Sequence, residues 1–288
     1  MLPTFLLSLR EGLEAALIIG IVLGAINKIQ RKDLAPAVWF GALSAVVVSI
    51  LTAVALASFG MSLEEEAEQI FEGITLLAAA GILTWMIFWM GRQARFLKRE
   101  LEDGVNKAAA HSTTGTRAVF TLAFMAVVRE GIELAIFVTA AFFAGNQVEA
   151  STNLIRTLAG TVLGLGTAIL LGYTIFATTV RLDLRRFFQV TGILLILFAA
   201  GLVAHGVHEF NEVGWIPAVI EHVWDVNMIL DENSVAGQLL KTLFGYNGNP
   251  SLTETLAYLA YLAVISVFWR RENAIPAKAT ASAGSQAA

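Results

Sequence analysis

The sequence predicts an all-α polytopic membrane protein with seven transmembrane helices, built as two inverted three-helix repeats plus a seventh helix. Three observations point there. Of 288 residues, 57% are hydrophobic and 15% charged, and the mean hydropathy is +0.70; a soluble domain carries about 25% charged residues. The apolar residues gather into seven runs of roughly 20, the length that crosses a bilayer. One charged phrase also occurs twice inside those runs, as Arg10-Glu11-Gly12-Leu13-Glu14 and as Arg129-Glu130-Gly131-Ile132-Glu133.

In order, the expected spans are 4–26, 37–60, 70–91, 118–144, 155–178, 187–207 and 252–269. The first is not read as a cleavable signal, because it has no basic leader and Arg10-Glu11 interrupts it. The second and fifth carry small residues every fourth position: Gly41, Ala45, Ser49, Ala53 and Ala57, then Gly160, Gly164, Ala168 and Gly172. Such stripes let helices approach closely and imply packing rather than chemistry. Between the sixth and seventh spans lies a long acidic loop, in which 235–244 reads as a short surface helix and Glu221, His222 and Asp225 read as surface groups. The Ala/Ser-rich stretch 274–288 reads as a disordered tail.

Basic residues set the orientation. Fifteen of the 19 Lys+Arg fall after the first, third, fifth and seventh spans. They are Lys28, Arg31 and Lys32; Arg92, Arg95, Lys98, Arg99, Lys107 and Arg117; Arg181, Arg185 and Arg186; and Arg270, Arg271 and Lys278. Only Arg156 and Lys241 face the other side, so the positive-inside rule puts the N-terminus outside and the C-terminus in the cytoplasm. Trp39, Trp89 and Trp269 then stand at inner span ends, where an aromatic belt belongs.

The repeat holds at a constant offset of 119 residues: the two charged phrases align, Gly41 falls on Gly160, and Gly73-Ile74 on Gly192-Ile193. An odd number of spans per unit makes the halves inverted, as in many secondary transporters, whose sites lie where the repeats meet near the midplane. The expected units are a first repeat over 1–91, a cytoplasmic connection 92–117, a second repeat 118–208, an extracytoplasmic loop 209–251, a seventh span 252–273 and the tail 274–288.

Six ionisable groups at mid-span are costly, about 2.5–3.5 kcal/mol each before pairing. At 100° per residue, Glu14 falls between Arg10 and Glu11, so the polar heads share one stripe, and Gly12 lies on the far side where another helix can pack. The same holds for Arg129, Glu130, Glu133 and Gly131. Pairing Arg10 with Glu14 and Arg129 with Glu133 leaves one carboxylate uncompensated in each half. Two buried negative charges call for a cation or protons, and carboxylate oxygens suit hard cations. Cysteine is absent and the six methionines are scattered, which argues against a soft metal such as Cu(I). The metal candidates are therefore Glu11, Glu14, Glu130 and Glu133, with Arg10 and Arg129 as partners.

An outer relay of Glu68, Glu72, His205, His208, Glu209 and Glu212 is a second candidate, at the outer ends of the third and sixth spans. Ion-site and helix-capping readings both stand for these residues, and Glu64–Glu66 read as a solvated loop. An acidic outer mouth would concentrate cations there.

These phrases, with His205-Gly206-Val207-His208-Glu209 closing the sixth span, resemble the oxidase-dependent iron permease family, which comprises fungal high-affinity iron permeases and bacterial EfeU-type permeases. The resemblance covers about residues 1–272. It implies a multi-pass permease of the bacterial cytoplasmic (inner) membrane that imports iron, as Fe(II) or Fe(III), with Glu11, Glu14, Glu130 and Glu133 handling the ion. It further implies a separate extracytoplasmic partner, a ferroxidase or a periplasmic iron-binding or haem-peroxidase protein. Iron is then cargo; no cofactor and no nucleic acid enter. Four carboxylates with two arginines balance a 2+ ion, whereas an oxidase association points to Fe(III), so the valence stays open. Two alternatives stand beside this. One is a transporter of another cation such as manganese or lead. The other is an intramembrane di-iron carboxylate oxidase, disfavoured because such centres use E-x-x-H on two helices and the chain has no E-x-x-H.

Overall fold

Inside lipid the backbone has no water to bond, so an apolar run of this length closes its hydrogen bonds along itself as a helix. The structure, a computed structural model, describes residues 1–93, 103, 105, 115–144, 150–177, 184–227, 230, 234, 237, 240 and 244–285. It contains seven long helices, and no strand among the described residues. They are α1 (Leu2–Lys28), α2 (Ala35–Gly60), α3 (Glu65–Gln93), α4 (Gly115–Phe143), α5 (Ala150–Ala177), α6 (Leu184–Glu212) and α7 (Leu252–Ser285). Most of the 92–117 connection, residues 178–183 and most of the expected 235–244 helix lie outside the described residues.

Prolines open two of the helices, Pro3 in α1 and Pro36 in α2, where a missing N–H leaves no bond unmade. Most helices outlast their apolar runs, because the hydrogen-bond ladder does not stop where the hydrocarbon does. α6 therefore carries His208, Glu209 and Glu212 on its last turns, past the expected span end at 207. α7 stays helical to Ser285, where composition alone suggested a disordered tail; alanine, frequent there, has the highest helix propensity.

Five stretches are long and apolar enough to cross a membrane: 32–60, 66–89, 152–176, 190–212 and 252–270. α1 and α4 are as long, at 27 and 29 residues, but each carries an arginine and two glutamates near its middle. These two are the inner helices. α2, α5 and α7 turn apolar side chains outward, among them Phe40, Leu51, Val162, Ile169, Leu259 and Phe268. Contiguous apolar surface of this extent does not face water.

The pairings are specific. α2 packs on α4, α5 on α1, α3 on α6, and α1 on α4. Glycines mark the closest approaches. A Cβ at Gly41 would lie 2.6 Å from the Phe120 carbonyl oxygen, and one at Gly131 would strike Ser49, so α2 and α4 run parallel. One at Gly160 would strike Thr4 and Met1, and Gly12 faces Ala168, so α1 and α5 also run parallel. Gly206 abuts the Gly73 carbonyl while Gly192 faces Ile87, making α3 and α6 antiparallel.

Two apolar clusters bracket the middle of the bundle. One joins Leu7 of α1 and Phe137 and Ala140 of α4 to Leu76, Leu83, Phe198 and Leu202. The other joins Ile18, Val22 and Ile26 of α1 to Val38, Val119 and Ala123. The start of α1 thus meets the end of α4 and the reverse, so the two inner helices are antiparallel. Their charged phrases fall between the clusters.

Candidate functional site

Each phrase sits on an unbroken helix whose far side is a glycine. Gly12 lets α5 approach through Ala168 and Leu165, and Gly131 lets α2 approach through Ser49. The polar stripes of α1 and α4 are thereby turned toward each other. Arg10 is 2% exposed, Glu11 1%, Glu14 9%, Glu130 5% and Glu133 8%. Both expected i,i+4 pairs form: Arg10 Nε donates to Glu14 Oε1 at 3.3 Å and Arg129 Nε to Glu133 Oε1 at 3.1 Å. Arg129 Nε also lies 3.8 Å from Glu130 Oε1.

Glu11, Glu14 and Glu130 each offer an oxygen, and the three atoms lie within 4.8 Å of one another. Ligands on opposite sides of a hard cation with 2.3–2.6 Å bonds are about 5 Å apart, so the spacing suits one shared ion. Both oxygens of Glu11, Oε2 of Glu130 and Oε2 of Glu133 are buried without a hydrogen-bond partner among the described residues. If all are ionised, three pairs no farther apart than that repel by at least about 10 kcal/mol in total at an effective dielectric of 20. The Arg10–Glu14 and Arg129–Glu130 attractions together return about 9 kcal/mol on the same scale. That leaves the desolvation of five buried ions, several kcal/mol each, unmet. A cation or protons between the helices would meet it. The fourth candidate, Glu133, is held by Arg129 and stands outside the close triad.

The outer candidates assemble on a different pair of helices. Gly73 admits Phe210 and the Glu209 Cβ against α3, which brings the buried carboxyls of Glu72 and Glu209 to the same seam. Glu68 lies on the same helix within electrostatic reach of both. His205 Nε2 is 3.6 Å from Glu209 Oε1, His208 Nε2 is 3.9 Å from Glu212 Oε1, and the two rings stack at 5.7 Å. Their donor atoms are spread among several ion pairs rather than converging on one point. Glu221, His222 and Asp225 are exposed, as is Glu64.

Two residues enter that sequence reasoning missed. Glu254 Oε1 lies 3.1 Å from His208 Nδ1. Its signal was present: Ser251 and Glu254 form a capping box at the start of α7, with the Glu254 N–H on Ser251 Oγ and the Ser251 N–H on Glu254 Oε1. That pattern predicts a helix start and says nothing of His208. Trp89, read as a belt residue, also covers Arg129, whose Cζ is 4.3 Å from the ring centroid.

Comparison with known proteins covers nearly the whole chain. The profile of the iron permease FTR1 family matches residues 1–270. The chain is 33% identical over 287 residues to the ferrous iron permease EfeU of Shigella sonnei (strain Ss046), covering all of both chains. It is equally similar to that of Escherichia coli O157:H7. With the ferrous iron permease EfeU of Yersinia pestis it shares 32% identity over 290 residues, covering all of this chain and 98% of the other. No solved structure matches.

Proposed function

The chain belongs to the iron permease FTR1 family, and on that premise we propose that it imports ferrous iron across the bacterial cytoplasmic membrane through the carboxylates of α1 and α4. Proteins of this family are transporters, not enzymes. One observation carries the residue assignment: three carboxylate oxygens from two antiparallel helices within 4.8 Å, lying between two apolar clusters. Glu11, Glu14 and Glu130 are the ligands in this reading, Glu133 exchanges between Arg129 and the ion, and Arg10 and Arg129 hold the balance of charge. Four carboxylates and two arginines neutralise a 2+ ion, which agrees with the ferrous cargo named for the relatives.

In this reading the path follows from two inverted three-helix repeats, with a seventh transmembrane helix outside them. Its support is a set of contacts that map onto one another at the 119-residue offset. Gly41 against Phe120 corresponds to Gly160 against Met1, Gly131 against Ser49 to Gly12 against Ala168, and Gly73 against Gly206 to Gly192 against Ile87. Related helices run in opposite directions, so the two halves are a pseudo-twofold pair whose axis passes between the glutamates. Rocking one half against the other would open the site to each side in turn. The outer Glu68, Glu72, His205, His208, Glu209 and Glu212 are the collecting mouth, supplied by a separate extracytoplasmic ferroxidase or iron-binding protein. The N-terminus lies outside and the C-terminus inside.

The test is uptake of radiolabelled iron into reconstituted vesicles, with Fe(II) or Fe(III) supplied and with or without a pH gradient. Glu14→Gln and Glu133→Gln are expected to abolish uptake while inserting normally. Wild-type rates in both variants remove the site assignment. A preference for Fe(III) removes the ferrous reading alone.

A further inference from the structure

Side chains on a helix lean toward its N-terminus. On antiparallel helices that sends Arg10 and Arg129 to opposite ends of the carboxylate group. The two ends differ. The Arg10 side chain is 3% exposed, and that of Arg129 is 37% exposed. Arg129 is also clamped: its guanidinium carbon stands 4.3 Å over the Trp89 ring while its Nε bonds Glu133 at 3.1 Å. Trp89 is itself held by Trp85, stacked on it at 6.0 Å, four residues before the end of α3. At the twofold-related position stands His208, whose Nδ1 is engaged by Glu254 at 3.1 Å. The seventh helix, which has no counterpart in the repeat, supplies that glutamate.

We propose that Trp89 is the positioning residue of the inner gate: its indole holds the Arg129 guanidinium beside Glu130 and Glu133, and iron leaves for the cytoplasm past that guanidinium. This rests on the carboxylates being the iron site. An indole face within about 6 Å attracts a guanidinium without competing as a ligand for the metal. It therefore fixes the rotamer of the arginine and leaves its N–H groups for the glutamates. Without the clamp the guanidinium loses its one orientation, and the release step slows. Loading from the outer end, closed by different residues, is unaffected.

Kinetics of iron(II) uptake by the full chain in vesicles separate this from simple packing. Trp89→Leu, apolar without a ring, is expected to lower the maximal rate about five- to thirtyfold with the external half-saturation constant within about twofold of wild type. Trp89→Phe, which keeps an aromatic face, stays within about threefold in rate. In an Arg129→Lys background, which removes the planar partner, Trp89→Leu costs less than about twofold further. Equal rates for the Leu and Phe variants overturn the proposal, as does full additivity with Arg129→Lys. Should Trp89→Leu not reach the membrane, Trp89→Met replaces it. If both fail to insert while Trp89→Phe inserts, the aromatic ring is a folding element and the gate is refuted. Normal uptake by Glu14→Gln and Glu133→Gln would instead refute the iron site beneath it.

Discussion

Replacing Arg10 with methionine should damage the fold more than the same change at Arg129, although the two arginines occupy equivalent places in the repeat. The Arg10–Glu14 pair is buried, with side chains 3% and 10% exposed. Removing one partner of a buried ion pair costs about 3–5 kcal/mol, because the other charge stays behind without compensation. Arg129 is 37% exposed, so screening brings its loss down to roughly 1–2 kcal/mol. At about 2–4 °C per kcal/mol for a chain of this size, Arg10→Met should lower the midpoint of thermal unfolding by roughly 6–20 °C. Arg129→Met should lower it by roughly 2–8 °C. The double change Arg10→Met with Glu14→Leu replaces the pair by apolar groups and should recover at least half of the loss. The assay is the fraction of detergent-purified protein remaining monodisperse after heating. Equal losses at the two arginines, or a double variant worse than the single, would refute the idea that burial of the ion pair sets the difference.

Two further outcomes are expected. Because the chain has no cysteine, single cysteines report sidedness cleanly. Ser62→Cys should react with an impermeant thiol reagent added outside intact cells and Gln30→Cys only after the inner face is opened; the reverse pattern would overturn the orientation. At the start of α7, Glu254→Gln keeps a capping-box residue and loses only the charge facing His208. Glu254→Ala loses both and should be less stable than Glu254→Gln by about 1 kcal/mol in the same thermal assay; equal stability would remove the cap from the account.

Much of this architecture was written along the chain. Apolar length marks each helix, because lipid leaves the backbone no other way to bond itself. The doubled Arg-Glu-Gly phrase marks the central pair, because charge in lipid persists only with a partner. Helical geometry alone put Glu14 beside Arg10 and Glu133 beside Arg129, since an i,i+4 relation needs no knowledge of neighbouring helices. The glycines opposite those charges likewise announced that another helix would close in there.

What the chain could not state is which side chains meet across helices. That Glu130 joins Glu11 and Glu14 while Glu133 stays with Arg129 depends on the rotation and rise of α4 against α1. That Trp89 covers an arginine depends on how α3 crosses α4, and that Glu254 reaches His208 depends on where α7 docks. Periodicity reports which face of a helix is buried and is silent on what lies opposite. Sequence by itself therefore determined the long helices, the charged phrases and their local pairs. Only the tertiary packing decided that three carboxylates from two antiparallel helices share one point, because that convergence is a property of the interface and of neither helix alone.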